Sequence, residues 1–211
     1  MKRPVIAVLD YGIGNLHSAA KALEHVGGDA RLVTDATAAR GADAVVLPGV
    51  GAFGACMDAL RAAGLEEVVH ESVRSGRPFL GICVGMQMLF TSSEEDPDHT
   101  GLGVIPGVVR WIPPGVKRPQ MQWNRLSFSH RDDPMFAGPD LVDATDGAWV
   151  YFVHSLHGVP DDAGTVAATC EYGGLLNVAF RSGNVFATQF HPEKSGRSGL
   201  ALLGNFVRGI A

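Results

Sequence analysis

Cys83 stands in the stretch Gly81-Ile82-Cys83-Val84-Gly85-Met86-Gln87. The apolar run just before it, residues 79–82, reads as a buried strand, and residues 86–90 suit a helix. Cys83 therefore falls on a sharp strand-to-helix turn. Glycines two places before and two places after let neighbouring backbone approach while the turn residue holds a strained conformation, the logic of a nucleophile elbow with cysteine in place of serine. The helix beyond the turn directs free backbone N–H groups and the positive end of its dipole at the sulfur. A cysteine so placed attacks a carbonyl near neutral pH more readily than serine does. An inert buried thiol is the ordinary alternative, and the two glycines argue against it.

Such a nucleophile needs a base oriented by a third group. Of the eight histidines, His191 stands out: it comes at the end of a predicted strand (185–189) and is followed by Pro192-Glu193. In an extended segment residues i and i+2 share a side, so Glu193 can reach His191, and Pro192 favours extension there. Acyl transfer also needs donors for the developing oxyanion, worth about 3–4 kcal/mol for one well-placed group. The N–H of Val84 is the first candidate. Pro48-Gly49-Val50-Gly51 offers a second at Val50, because its glycines allow unusual backbone conformations.

The elements that must carry these groups alternate. Apolar strands are predicted at 5–9, 30–34, 44–48 and 79–82, with helices at 16–26, 56–62 and 65–75 and a brief helical or turn segment at 35–40 between them. Beyond a solvated loop at 92–98 come short strands at 103–109, 126–128, 149–153, 165–170, 177–181 and 185–188, the last two joined by a turn at Gly183, and then a helix at 200–210. The fold class expected is α/β: three layers, a mostly parallel central sheet with helices on both faces, and a mixed or antiparallel extension in the C-terminal half. Residues 1–211 read as one domain. In such a sheet the site lies beyond the carboxyl ends of the strands, where loops 10–15, 48–54 and 83–87 converge. The first loop lacks the dinucleotide fingerprint, because His17 follows Gly12 and Gly14 where a third glycine belongs.

Net charge is −5, with no dense run of Lys or Arg, which disfavours a nucleic-acid partner. Three scattered cysteines give neither a disulfide framework nor metal spacing. No metal or cofactor is expected. The chain runs from Met1-Lys2-Arg3 straight into a six-residue apolar segment, too short for a signal-peptide core, and no stretch has membrane-span length. A cytoplasmic protein without a membrane contact is the expectation.

The elbow together with His191-Pro192-Glu193 resembles the class I glutamine amidotransferases. Asp10-Tyr11-Gly12-Ile13-Gly14-Asn15-Leu16, Pro48-Gly49-Val50-Gly51-Ala52-Phe53-Gly54, Trp123-Asn124, Tyr151-Phe152-Val153-His154-Ser155 and His191-Pro192-Glu193-Lys194-Ser195-Gly196 are similar to the glutaminase subunits of imidazole glycerol phosphate synthases. The resemblance implies hydrolysis of glutamine through a cysteinyl thioester. The ammonia then passes to a (β/α)8-barrel cyclase in a heterodimer, which makes imidazole glycerol phosphate and aminoimidazole carboxamide ribotide for histidine biosynthesis. It also implies Cys83 as nucleophile, His191 as acid/base and Glu193 as its orienter, with Gly51, Gln87 and Ser155 at the glutamine and Asn15, Trp123, Asn124, Tyr151 and Lys194 facing the cyclase. In this family the Gly49–Val50 peptide is expected to reorient when the cyclase binds its ligand. Two positions depart from the family pattern: Gln122, where glycine is usual and a partner-side turn is expected, and Leu156, where an aromatic is common. Other readings are a glutaminase subunit serving anthranilate or pyridoxal phosphate synthesis, a catalytically silent regulatory partner, and a peptide-cleaving cysteine hydrolase. Lys194 and the 10–16 loop speak against the first, and the intact Cys83, His191 and Glu193 against the second.

Overall fold

The apolar runs become strands covered on both sides. The computed structural model describes residues 3–142 and 147–210; Met1 and Lys2 lie outside them. In chain order its first half comprises β1 (Val5–Leu9), α1 (Leu16–His25), β2 (Asp29–Val33), α2 (Ala36–Arg40), β3 (Ala44–Gly49), α3 (Phe53–Ala62), α4 (Glu66–Arg74), β4 (Phe79–Cys83) and α5 (Val84–Met88). β3 and β4 are buried along their whole length, as continuous apolar sequence demands of strands with helices above and below. Each fully buried Val, Leu or Phe there stabilises the fold by roughly 1.5–3 kcal/mol.

The second half comprises β5 (Phe90–Ser93), β6 (Ile105–Trp111), β7 (Gln120–Arg125), β8 (Ser127–Phe128), β9 (Trp149–His154), β10 (Leu156–Pro160), β11 (Val166–Glu171), β12 (Leu175–Ser182), β13 (Val185–Thr188) and α6 (Gly196–Arg208). The main sheet runs β2-β1-β3-β4-β13-β12-β11-β8. Its first five strands are parallel, and from β13 onward the pairing is antiparallel. β13 thus returns the late chain to the middle of the sheet, beside the elbow strand, with Thr188 opposite Ile82. The two-residue turn at Gly183-Asn184 makes the β12–β13 hairpin, with Gly183 at φ +55°.

Several expectations shift. Residues 92–98 are not simply a solvated loop: β5 pairs with β6, and Ser93 is buried with its Oγ accepting the Glu95 N–H. β7 and β10 carry too little apolar alternation to be read as strands, and only their partners β9 and β6 reveal them. Gln122 sits mid-strand opposite Phe152, not in a turn. A strand accepts any side chain there, so the missing glycine costs nothing. The elbow helix begins two residues before the predicted 86–90 segment, and the helices predicted at 56–62 and 200–210 begin at Phe53 and Gly196.

Candidate active site

Cys83 ends β4 and adopts φ +55°, ψ −114°. Among the described residues it is the one non-glycine side chain at positive φ, a conformation that costs about 1–3 kcal/mol and persists only where the surroundings enforce it. Gly85 provides that enforcement: a Cβ on it would lie 1.9 Å from the Leu47 carbonyl oxygen of β3. Gly81 is similarly close to the Leu89 side chain and the Met86 backbone. The two glycines therefore let α5 fold back on the sheet and turn the thiol out.

His191 follows β13 as the chain enters a 3-10 turn, Pro192–Lys194. The extended geometry expected for His191-Pro192-Glu193 is therefore replaced by a tighter bend, which still brings Glu193 Oε1 to 2.8 Å from His191 Nδ1. Ser195 Oγ donates to the His191 carbonyl at 2.6 Å, and the His191 N–H donates to Tyr151 O. α6 presses on the turn through Gly199, where a Cβ would lie 1.9 Å from the Pro192 carbonyl oxygen. Glu193 Oε2 is buried without a hydrogen-bond partner, so His191 is the carboxylate's side-chain counterpart. His191 and Cys83 line the same pocket, so the sulfur acts on the imidazole from its open side.

Burial opposes charge on His191, but the Cys83 sulfur and the Glu193 carboxylate outweigh it and raise its pKa to about 9. A raised imidazolium pKa stabilises the fold fully below about pH 6.5 and loses that contribution as pH climbs through about 9. Urea unfolding at pH 6, 7.5 and 9.5 should show stability falling by on the order of 1–3 kcal/mol across this window, with a flatter profile in His191→Gln. The second histidine nearby behaves oppositely. His154 is buried, with Nδ1 2.7 Å from Leu156 O and Nε2 2.9 Å from the Gln120 side-chain amide. Desolvation lowers its pKa to about 4, so the neutral ring donates from Nδ1 and accepts at Nε2 from the amide NH₂, joining β9 to β7.

The thiol opens into a pocket of about 270 Å³. Val50, Gly51, Val84, Gln87 and Ser155 line it with Cys83 and His191, so the structure gathers all the predicted triad, oxyanion and substrate positions around one cavity except Glu193, which stands behind the imidazole. Glu95 lines it too, with Oε2 accepting the Phe53 N–H at 2.8 Å. Sequence reasoning missed Glu95, because an acidic loop carries no spacing signal. His99, wedged between Asp58 and Asp96, ties that loop to α3.

The glycine-rich loop is tethered from behind. Tyr11 donates its hydroxyl to Pro48 O at 2.6 Å, and the Cys56 thiol donates to Val50 O at 3.3 Å. Burial pushes Tyr11 well above the phenol range and Cys56 up to about 11, so both remain protonated donors. Burial likewise raises Cys170 to about 12.

Of the remaining predicted positions, Trp123 and Tyr151 pair across β7 and β9 with rings 6.2 Å apart. Trp123 and Lys194 are exposed. Asn15 caps α1 through its backbone without a side-chain bond, whereas Asn124 turns its amide onto Glu171 O at 2.8 Å. Leu156 starts β10 and borders the pocket.

The model of the glutamine amidotransferase class I family matches residues 7–210. A curated relative from Synechococcus sp. (strain JA-3-3Ab), "Imidazole glycerol phosphate synthase subunit HisH", is 47% identical over 214 aligned positions, covering 100% of this chain and 96% of the relative. Its namesake in Syntrophotalea carbinolica is 50% identical, with 96% and 98% covered. The chain belongs to the HisH family of class I glutamine amidotransferases. A solved structure described as a glutamine amidotransferase superposes on this HisH chain with a TM-score of 0.74 over 97% of it and 98% of its own length, at 23% identity. That likeness carries the fold.

Proposed function

We propose that this chain hydrolyses glutamine to glutamate and ammonia at Cys83, as the glutaminase subunit of an imidazole glycerol phosphate synthase in histidine biosynthesis. Cys83 Sγ adds to the glutamine amide carbon, and the oxyanion is met by the Val84 N–H and, once the loop is set, the Val50 N–H. His191 gives its proton to the amide nitrogen as the C–N bond breaks, releasing ammonia and leaving a thioester. Water then adds while His191 takes its proton, and collapse releases glutamate and restores the sulfur–imidazolium pair. Glu193 keeps the imidazole oriented throughout. Gly51, Gln87 and Ser155 hold the amino-acid end, and Glu95 supplies a negative charge for its ammonium group. The observation that carries this reading is that Cys83 shares a pocket wall with His191, which is itself bonded to Glu193, in a chain of this family.

Residues 1–211 act as one domain in this reading, in the cytoplasm; among the described residues no helix is long and apolar enough to cross a membrane. The partner is a (β/α)8-barrel cyclase in a heterodimer, receiving the ammonia. Met121, Trp123, Trp149 and Tyr151 alternate onto one side of the β7–β9 pair, and the first three are 63%, 47% and 42% exposed. An apolar aromatic patch of this kind suits a protein interface, and Lys194 stands exposed on the turn after His191. Completing one oxyanion donor is worth about 10²–10³ in kcat. Glutamine hydrolysis should therefore be slow for the isolated chain and rise by that order when the cyclase and its nucleotide ligand are added. Equal rates with and without them would remove the partner dependence.

A further inference from the structure

Gln189 is fully buried and has no part in the mechanism above. It lies two residues before His191, and the intervening Phe190 points into the core. Its backbone N–H is anchored on Val178 O at 2.9 Å. Its side chain joins two groups of the site: Nε2 donates to Cys83 Sγ at 3.7 Å, and Oε1 accepts from Gln87 Nε2 at 3.0 Å. Gln87 is itself buried and lines the pocket.

We propose that Gln189 is a positioning residue that holds the Cys83 sulfur and, through Gln87, sets which atom Gln87 offers to substrate. This rests on the assignment of Cys83 as the nucleophile. An anionic sulfur accepts hydrogen bonds and donates none. Gln189 must then turn its amide NH₂ to the sulfur and its carbonyl to Gln87, so Gln87 must donate in return. The Gln87 carbonyl oxygen is thereby left for the pocket, as an acceptor suited to an ammonium group. The sulfur thereby has an amide donor distinct from the imidazole that transfers protons in the proposed mechanism. An amide cannot give up its proton at neutral pH, so Gln189 steadies the negative charge without competing with His191 for proton transfer. When the thioester forms and the charge leaves the sulfur, this bond weakens while the Gln189–Gln87 bond remains.

The test uses the full chain and two electrophiles, with Cys83 modification followed by peptide mass spectrometry. Iodoacetamide reads the sulfur alone; a glutamine-analogue diazo ketone reads the sulfur and the amino-acid pocket together. Gln189→Glu keeps the shape and the acceptor for Gln87 but presents no N–H to the sulfur. Loss of a hydrogen bond to a charged acceptor should slow iodoacetamide modification of Cys83 about tenfold to a hundredfold. Gln87→Met should slow the diazo ketone by about tenfold or more and iodoacetamide much less. If Gln189→Glu does not fold, as judged by tryptophan fluorescence and a cooperative urea transition, Gln189→Met carries the same expectation. Should that also fail, the Gln87→Met pattern decides. Folded Gln189 variants that react with iodoacetamide at the wild-type rate, or a Gln87→Met chain equally slowed toward both reagents, overturn the proposal. Failure of the diazo ketone to modify Cys83 in the unaltered chain would instead remove the glutaminase reading itself.

Discussion

Cys83→Ala should abolish glutamine-dependent turnover, by at least about 10⁴-fold, while the assembled cyclase keeps its full rate when ammonia is supplied directly. In the proposed mechanism the sulfur is the atom that bonds to the substrate, and no other thiol lines the pocket. Cys56 lies nearby, but burial holds its pKa near 11 and its thiol is committed to Val50 O, so it cannot act as a substitute nucleophile. The side chain of Cys83 is small and sits at the pocket wall, so truncation to alanine removes one atom without disturbing β4 or the β7–β9 surface. Parallel assays with glutamine and with ammonium salt separate the two activities. Loss of both would show that the substitution acts on folding or assembly instead of chemistry.

Gly85→Ala should be the most damaging single methyl in the elbow. The added Cβ would fall 1.9 Å from Leu47 O and 2.8 Å from Leu47 C. Those atoms belong to β3, which is paired to β1 on one side and β4 on the other, so they cannot retreat without breaking the sheet. The alternative is for α5 to lift, which would release the backbone constraint at Cys83. Either way the cost should be about 3 kcal/mol or more, read as a lower urea midpoint with an unchanged slope. Cys83 in any folded fraction should react more slowly, because its φ of +55° depends on that packing.

Much of this protein was legible in the linear chain. The parallel βα order follows from apolar runs alternating with helical stripes, because burial on both faces writes itself into composition. The elbow was readable because a positive-φ turn hard against a neighbouring strand demands glycine on both sides of Cys83. Gly81 and Gly85 mark that demand by residue type. His191 and Glu193 were readable as a pair because they are neighbours in sequence, although the bend that joins them is a 3-10 turn and not an extended segment.

Tertiary structure decided what depends on distant neighbours. β7 and β10 exist because β9 and β6 lie beside them, and hydrogen-bond pairing leaves little trace in polar sequence. Glu95 reaches the pocket because β5 and the His99 clamp hold an acidic loop against α3. Gly199, an unremarked helix glycine, is the point where α6 meets the His191–Lys194 turn. Gln189 touches a sulfur 106 residues away. Chemistry carried by local backbone shape could be read along the chain, whereas chemistry carried by side chains meeting across the sheet appears only once β13 is laid beside β4.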